Sequence, residues 1–159
     1  MSVNIENIDN DQVLRWVTFQ MDKEVYGINV SQVREVLRVS EIAPVPGAPD
    51  YVLGIINLRG NVVTVIDTRK RFGLSSVDPD DASRIVIIDV DSQQVGILVD
   101  SVAEVVDLHA SSIETPPNVG NDETSKYIEG VTSLDGELLI LVDLNKFLSE
   151  EKWQEMASF

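Results

Sequence analysis

Apolar and polar residues alternate along short runs of the chain, and turn-forming residues separate these runs. Residues 14–21 and 84–90 are rich in β-branched and aromatic side chains, and each run is followed by polar turn residues and then by a second apolar run at 27–30 or 96–99. This succession is typical of a β-hairpin. Many short strands with close turns predict a mainly β protein built of small barrels, because closing a sheet removes its exposed edges.

Two segments carry a spacing that favours helix instead. Valine recurs every three or four residues at Val30, Val33 and Val36, and again within residues 99–106. This spacing predicts a short helix or helical turn in each place, although valine-rich helices depend on packing for their stability. Residues 145–158 are rich in helix formers and carry large apolar side chains that could dock onto a barrel. We therefore predict a C-terminal helix there.

The chain also resembles itself. Segment 26–37 matches segment 95–106, where the residues that recur are Gly27, Ile28, Val30, Val33, Glu35 and Val36, as Gly96, Ile97, Val99, Val102, Glu104 and Val105. Segment 51–70 matches segment 127–146, where the residues that recur are Tyr51, Gly54, Leu58, Gly60, Asp67 and Lys70, as Tyr127, Gly130, Leu134, Gly136, Asp143 and Lys146. Two similar units in tandem explain both matches, and the alternative is a chance match between valine-rich β segments.

The duplication and the length set the expected domain organisation. The chain has 159 residues, and a single domain usually spans about 100–200. We expect one domain at residues 12–155 that contains two pseudo-repeated barrels, at approximately 14–74 and 84–148. We expect residues 1–11 to form a flexible N-terminus.

Two equivalent turns differ in charge. The sequences LRGN at 58–61 and LDGE at 134–137 each lie between apolar runs, and each contains a glycine that can take a positive φ. Arg59 is therefore displayed on a turn, whereas its counterpart Asp135 has the opposite charge. Arg59 is either an ordinary solvated charge or a contact specific to the first half.

Composition narrows the range of partners and cellular locations that fit the chain. There are 27 acidic against 12 basic side chains, which gives a formal net charge of -15. Such a charge repels nucleic acid and anionic lipid. The chain has no cysteine, and we find neither a secretory signal nor an apolar run long enough to span a membrane. We therefore expect a cytoplasmic protein.

Catalytic chemistry has little support in the sequence. His109 is the only histidine, and no nucleophile elbow, phosphate-binding glycine loop or histidine pair for a metal is present. The acidic cluster at Asp78, Asp80 and Asp81 lacks the spacing and turn glycine of a calcium loop, which favours a solvated loop. A carboxylate pair that meets only in space remains an alternative. We predict no metal and no cofactor.

Four segments carry a family resemblance. They read VYGINVSQVREVLR, IAPVPGAPDYVLGIINLRGNVVTVIDTRKRFG, VGILVDSVAEVV and YIEGVTSLDGELLILVDL. In this order they resemble CheW, the coupling proteins of bacterial chemotaxis, over almost the whole chain. The resemblance implies two intertwined five-stranded SH3-like barrels with short helices and a C-terminal helix, without catalytic activity or a cofactor.

The resemblance also implies partners. CheW-like proteins bind the cytoplasmic tips of methyl-accepting chemotaxis proteins and the regulatory domain of the histidine kinase CheA. We therefore expect a cytoplasmic adaptor that is recruited to membrane-attached chemoreceptor arrays without contacting the membrane directly and without binding nucleic acid. The pathway could be flagellar or another chemosensory one.

Site residues follow from the same resemblance. The receptor-binding positions of the family fall on Val33, Glu35, Val36, Gly54, Asn57 and Arg59. Val33 and Val36 would give apolar contact from the short helix, and Arg59 would meet acidic or carbonyl groups. A structural role is equally open for Glu35, which recurs as Glu104. The kinase-binding candidates lie at the turn end of the second barrel, at Thr132, Ser133, Leu134, Asp135 and Glu137.

Three other functions remain as alternatives. An enzyme of tandem barrels would use carboxylates, and a free ligand-binding barrel would need a pocket. A CheV-like adaptor would carry a receiver domain after the CheW-like domain, and we expect no room for one after Phe159.

Overall fold

The computed structural model describes residues 12–90, 93–115 and 128–143. The strands within these ranges are β1 (Val13–Met21), β2 (Glu24–Asn29), β3 (Val33–Arg38), β4 (Val52–Leu58), β5 (Asn61–Asp67), β6 (Arg84–Val90), β7 (Gln93–Val99), β8 (Ser101–His109), β9 (Ile128–Leu134) and β10 (Glu137–Val142). A four-residue helix, α1 (Thr68–Arg71), follows β5, and short 3-10 helices lie at Val30–Gln32 and Ala110–Ser112. The predicted C-terminal helix and flexible N-terminus lie outside the described residues.

The strands form two five-stranded sheets. The first sheet has the order β8-β1-β2-β10-β9 and the second has the order β3-β6-β7-β5-β4. Replacing each strand of one half by its counterpart in the other half converts the first order into the second. The predicted mainly β fold with an internal duplication is therefore confirmed.

The two halves are intertwined through their first hairpins. The β1–β2 hairpin belongs to the sheet that contains β8, β9 and β10, and the β6–β7 hairpin belongs to the sheet that contains β3, β4 and β5. Neighbouring strands pair antiparallel except for β2 with β10 and β5 with β7, which pair parallel. Each sheet thus depends on strands from both halves.

Closed barrels are not found among the described strands. One bridge, Ala43 to Ile55, joins the segment after β3 to the opposite edge strand β4, and a second, Glu114 to Val131, does the same between the segment after β8 and β9. The expectation of closed barrels is therefore corrected. Each sheet curls, but only a single bridge joins its two edges.

Glycine makes each of these bridges possible. Gly54 is buried with a φ of 154°, and a Cβ there would collide with the backbone carbonyl of Ala43. A Cβ on its counterpart Gly130 would collide with the side chain of Ile113. The recurrence of this glycine in both halves therefore reflects the close approach of the returning chain.

The short helix predicted from valine spacing is wrong over most of its length. Only Val30–Gln32 is helical, as a 3-10 turn, and Val33 and Val36 lie on strand β3. Burial alternates residue by residue along this strand, so Val33 faces inward and Val36 faces outward, instead of both lying on one face of a helix. Pairing with β6 and the β preference of valine decide the outcome. Residues 99–106 likewise continue from β7 into β8.

The largest core cluster draws side chains from both sheets. Its members in strands of the first sheet are Phe19, Met21, Tyr26, Ile28 and Val142, and those in strands of the second are Ile66, Val86, Ile88, Val95, Ile97 and Val99. Full burial of an apolar side chain of this size contributes about 1.5–3 kcal/mol. An exposed ion pair contributes only about 0–1 kcal/mol, so apolar packing holds the sheets together.

Candidate functional site

The turn between β4 and β5 has an unusual residue at its tip. Arg59 and Gly60 have φ values of 51° and 87°, and two consecutive positive values define a type I′ hairpin turn. The first of these positions usually holds asparagine, aspartate or glycine, because other side chains are strained there. The Asn57 side chain accepts a hydrogen bond of 2.9 Å from the Gly60 amide and fixes the turn.

Arg59 pairs with a residue from the far edge of its sheet. Its guanidinium donates to Glu35 Oε1 at 2.6 Å, although β3 and β4 are the two outer strands of the second sheet. Curling of the sheet brings the two residues together. The Arg59 side chain is 70% exposed, so the pair adds little stability and instead holds the arginine in one direction.

The remaining receptor-site candidates differ in their exposure to solvent. Val36 follows Glu35 in β3 and is 40% exposed, whereas Val33 packs against the core cluster between the sheets. Gly54 is buried against the chain at Ala43. The structure therefore brings Glu35, Asn57 and Arg59 together at one turn, and Val36 occupies the next, outward-facing position of β3. We call these four residues the Arg59 patch.

The kinase-site candidates lie on the hairpin of β9 and β10 in the first sheet. Its turn repeats the geometry of the first one, with φ values of 53° at Asp135 and 82° at Gly136. The side chain of Thr132 is directed inward and donates a 3.0 Å hydrogen bond to the Ser112 carbonyl. Leu134 packs on the cluster that contains Trp16. The other three candidates, Ser133, Asp135 and Glu137, are exposed.

Exposed apolar residues were missed by the sequence reasoning. Val62 in β5 is 70% exposed, and Leu138 at the equivalent place in β10 is 52% exposed. Val36 likewise has an exposed counterpart, Val105, in β8. A large apolar residue at the outward position of an alternating strand is the signal that could have revealed Val62 and Leu138.

Open grooves adjoin these apolar residues. Val62, Ile55 and Pro44 contribute to a groove of about 450 Å³ beside the Arg59 patch. A second groove, of about 420 Å³, lies on the first sheet and is lined by Leu138 and by the charged residues Lys23, Glu24 and Glu137. Each sheet thus presents an exposed apolar side chain next to a charged turn, which suits contact with another protein.

Catalytic arrangements are not found in the described part of the chain. No three histidine, cysteine, aspartate or glutamate residues within it are placed to hold a metal ion. His109 lies exposed at the end of β8. None of the described helices is long and apolar enough to cross a membrane.

Comparison with known proteins gives consistent matches. The family model of the CheW-like domain matches residues 15–152. The chain is 33% identical to the chemotaxis protein CheW of Treponema pallidum (strain Nichols), over 94% of this chain and 90% of that protein. It is 35% identical to the chemotaxis protein CheW of Bacillus subtilis (strain 168), over 88% of this chain and 90% of that protein.

A solved structure matches as well. The crystal structure of the scaffolding protein TtCheW from Thermoanaerobacter tengcongensis superposes with a TM-score of 0.81 at 33% identity, and the match covers 89% of this chain and 96% of that chain. The duplicated sheets, together with these matches, define a non-enzymatic scaffold protein of chemotaxis. The chain belongs to the CheW family.

Proposed function

We propose that the protein couples methyl-accepting chemoreceptors to the histidine kinase CheA. The observation that carries this proposal is a pair of surfaces related by the internal duplication. Both have the same type I′ turn and an exposed valine on the equivalent strand, but Arg59 stands on one turn and Asp135 on the other. Surfaces of similar shape and opposite charge suit two different partners, because charge complementarity selects between them.

The Arg59 patch is the proposed receptor contact. The arginine presents a planar fork of donors that fits a carboxylate or carbonyl group at the receptor tip. Its hydrogen bond to Glu35 restricts the side chain before binding, which reduces the entropy lost on association. Val36 supplies apolar contact. Of the other family positions, Val33 and Gly54 shape the strands from inside the protein.

The β9–β10 hairpin is the proposed kinase contact. Asp135 and Glu137 give its tip a negative charge that suits a basic group on the kinase regulatory domain, and Ser133 adds an exposed hydroxyl. Leu138 adds apolar surface beside the tip. Thr132 and Leu134 hold the hairpin against the first sheet.

Location follows from these partners. We propose that residues 12–155 act as one unit in the cytoplasm and reach the membrane-attached array only through the receptor. The large excess of acidic side chains opposes direct attraction to anionic lipid.

Reconstitution tests the proposal. Cytoplasmic receptor fragments and CheA from the same source are mixed, and ATP-dependent kinase autophosphorylation is measured with and without this protein. We expect receptor-dependent kinase activity only when the protein is present. Equal activity in its absence would contradict the proposed coupling.

A further inference from the structure

Arg69 stands where the two sheets meet. Within the described residues the chain passes directly between the sheets at two places, after β2 and after β7. The second passage consists of Asp100 alone, between Val99 at the end of β7 and Ser101 at the start of β8. Arg69 lies on α1, which directly follows β5 of the second sheet.

Arg69 bonds to both sides of this passage. One guanidinium nitrogen donates to Asp100 Oδ2 at 2.5 Å, and another donates to Asp22 Oδ1 at 3.4 Å. Asp22 is in the β1–β2 turn of the first sheet, and its amide donates to the same Asp100 oxygen at 2.7 Å. The third guanidinium nitrogen, Nε, donates to the Ser75 carbonyl at 2.8 Å and fixes the arginine to the segment that follows α1.

The environment of Arg69 favours a fixed geometry. Its side chain is only 13% exposed, in contrast to 70% for Arg59. A planar guanidinium holds several acceptors in set directions, which a lysine ammonium cannot do. The hydrophobic effect that drives core formation between the sheets is non-directional, whereas the bonds of Arg69 to Asp22, Ser75 and Asp100 have set directions.

We propose that Arg69 is a positioning residue for the adaptor: its bonds to Asp22 and Asp100 set the orientation of the sheet that carries the Arg59 patch relative to the sheet that carries the β9–β10 hairpin. This inference rests on the proposed function, because orientation matters only if the two sheets hold different partners. Arg69 touches neither surface. It is needed for kinase activation in the assembled complex and not for either single contact.

Distance measurements between the sheets test the orientation without any partner. The chain has no cysteine, so spin labels can be attached at V62C in the second sheet and V105C in the first. Pulsed electron paramagnetic resonance then gives the distribution of distances between the labels. R69Q and D100N should broaden or shift this distribution. R69K should have a smaller effect, because lysine keeps the charge but lacks the planar guanidinium.

A matched control removes an ion pair that lies within one sheet. Arg15 on β1 bonds to Asp107 on β8 at 3.0 Å, and both strands belong to the first sheet. R15Q should leave the distance distribution unchanged. Thermal unfolding of each variant identifies those that fold. An unaltered distribution in folded R69Q and D100N would overturn the proposal.

Function is then measured on unlabelled protein that retains both native valines. R69Q should bind receptor fragment and CheA separately with affinities near those of the original protein. Kinase activation should fall by about tenfold, a typical size for a coupling between sites. Full kinase activation by R69Q would overturn the positioning role. A loss of binding to receptor fragment or to CheA that accompanies the loss of activation would overturn it as well. If the original protein itself activates no kinase, the proposed function fails, while the label distances still decide the orientation.

Discussion

Arg59 combines a strained backbone with an exposed charge. Its φ of 51° is one that asparagine and aspartate tolerate better than arginine does. Asp135, at the same place in the second half, fits this preference. A local conflict of this kind is expected where function selects the residue. The arginine is therefore better explained by a partner than by the turn.

Replacing this arginine should separate folding from binding. Arg59→Glu should change the free energy of unfolding by no more than about 0.5 kcal/mol, as is usual for surface positions. Arg59→Asn should be equally stable or slightly more so, because asparagine suits the turn. Both should bind receptor fragment much more weakly in a calorimetric titration.

The equivalent turn provides the control. Asp135→Asn changes the second hairpin in the same way and should keep full receptor affinity. A folded Arg59→Asn protein that binds the receptor fragment as tightly as the original would remove Arg59 from the contact.

Tyr26 gives the stability a pH dependence. It packs on Phe19 and Phe72, and burial raises the pKa of its phenol above the usual 10.0, with further increases from the charges of Glu24 and Asp22. The folded protein therefore retains the phenol proton more tightly than the unfolded chain does. The resulting contribution to the free energy of unfolding is complete below the unfolded pKa of about 10 and is lost as the pH rises through the folded pKa.

The tyrosine hydroxyl can be removed to test this. Thermal midpoints of the original protein should fall more steeply above about pH 10 than those of Tyr26→Phe. Identical pH profiles for the two proteins would show that Tyr26 does not cause the alkaline loss.

At the level of elements, local signals predicted the hairpins well. Alternating apolar residues and turn residues mark β1, β6 and their partner strands, because these features depend on neighbours in sequence. The valine spacing around Val33 was misleading, because Val33 and Val36 lie on opposite faces of one strand and not on one face of a helix. Secondary structure there is decided by pairing with β6, which lies far along the chain.

Long-range pairing also limited what could be predicted of the site. The turn at Arg59 and its contrast with Asp135 were visible in the sequence. The bond between Arg59 and Glu35 was not, because it joins opposite edges of a sheet that contains two strands, β6 and β7, from the second half of the chain. Arg69 likewise bonds to residues that are far away in sequence, at Asp22 and Asp100.

Strand β3 offers a matched pair of substitutions. Val36 on β3 and Val105 on β8 are related by the duplication and are 40% and 53% exposed. Val36→Asp should lose receptor binding, whereas Val105→Asp should keep it. Both should remain folded, because neither valine is buried. Surface plasmon resonance with immobilised receptor fragment compares them, and equal losses would show that the receptor does not distinguish the two sheets.

At the scale of the whole molecule, the intertwined sheets place two unlike surfaces on one protein. The Arg59 patch belongs to the second sheet and the β9–β10 hairpin to the first. Most of the affinity at each surface should come from a few central apolar contacts, since exposed ion pairs contribute only about 0–1 kcal/mol. Raising the salt concentration should therefore weaken kinase binding only modestly.

The proposed coupling requires that both partners bind at once, and a competition experiment measures whether they do. The protein is immobilised, saturated with receptor fragment and then exposed to CheA in a sensor assay. We predict that CheA binds with the same amplitude as it does without receptor, and that Arg59→Glu abolishes only the receptor signal. Displacement of CheA by saturating receptor fragment would mean that the two sites overlap and would contradict the coupling mechanism.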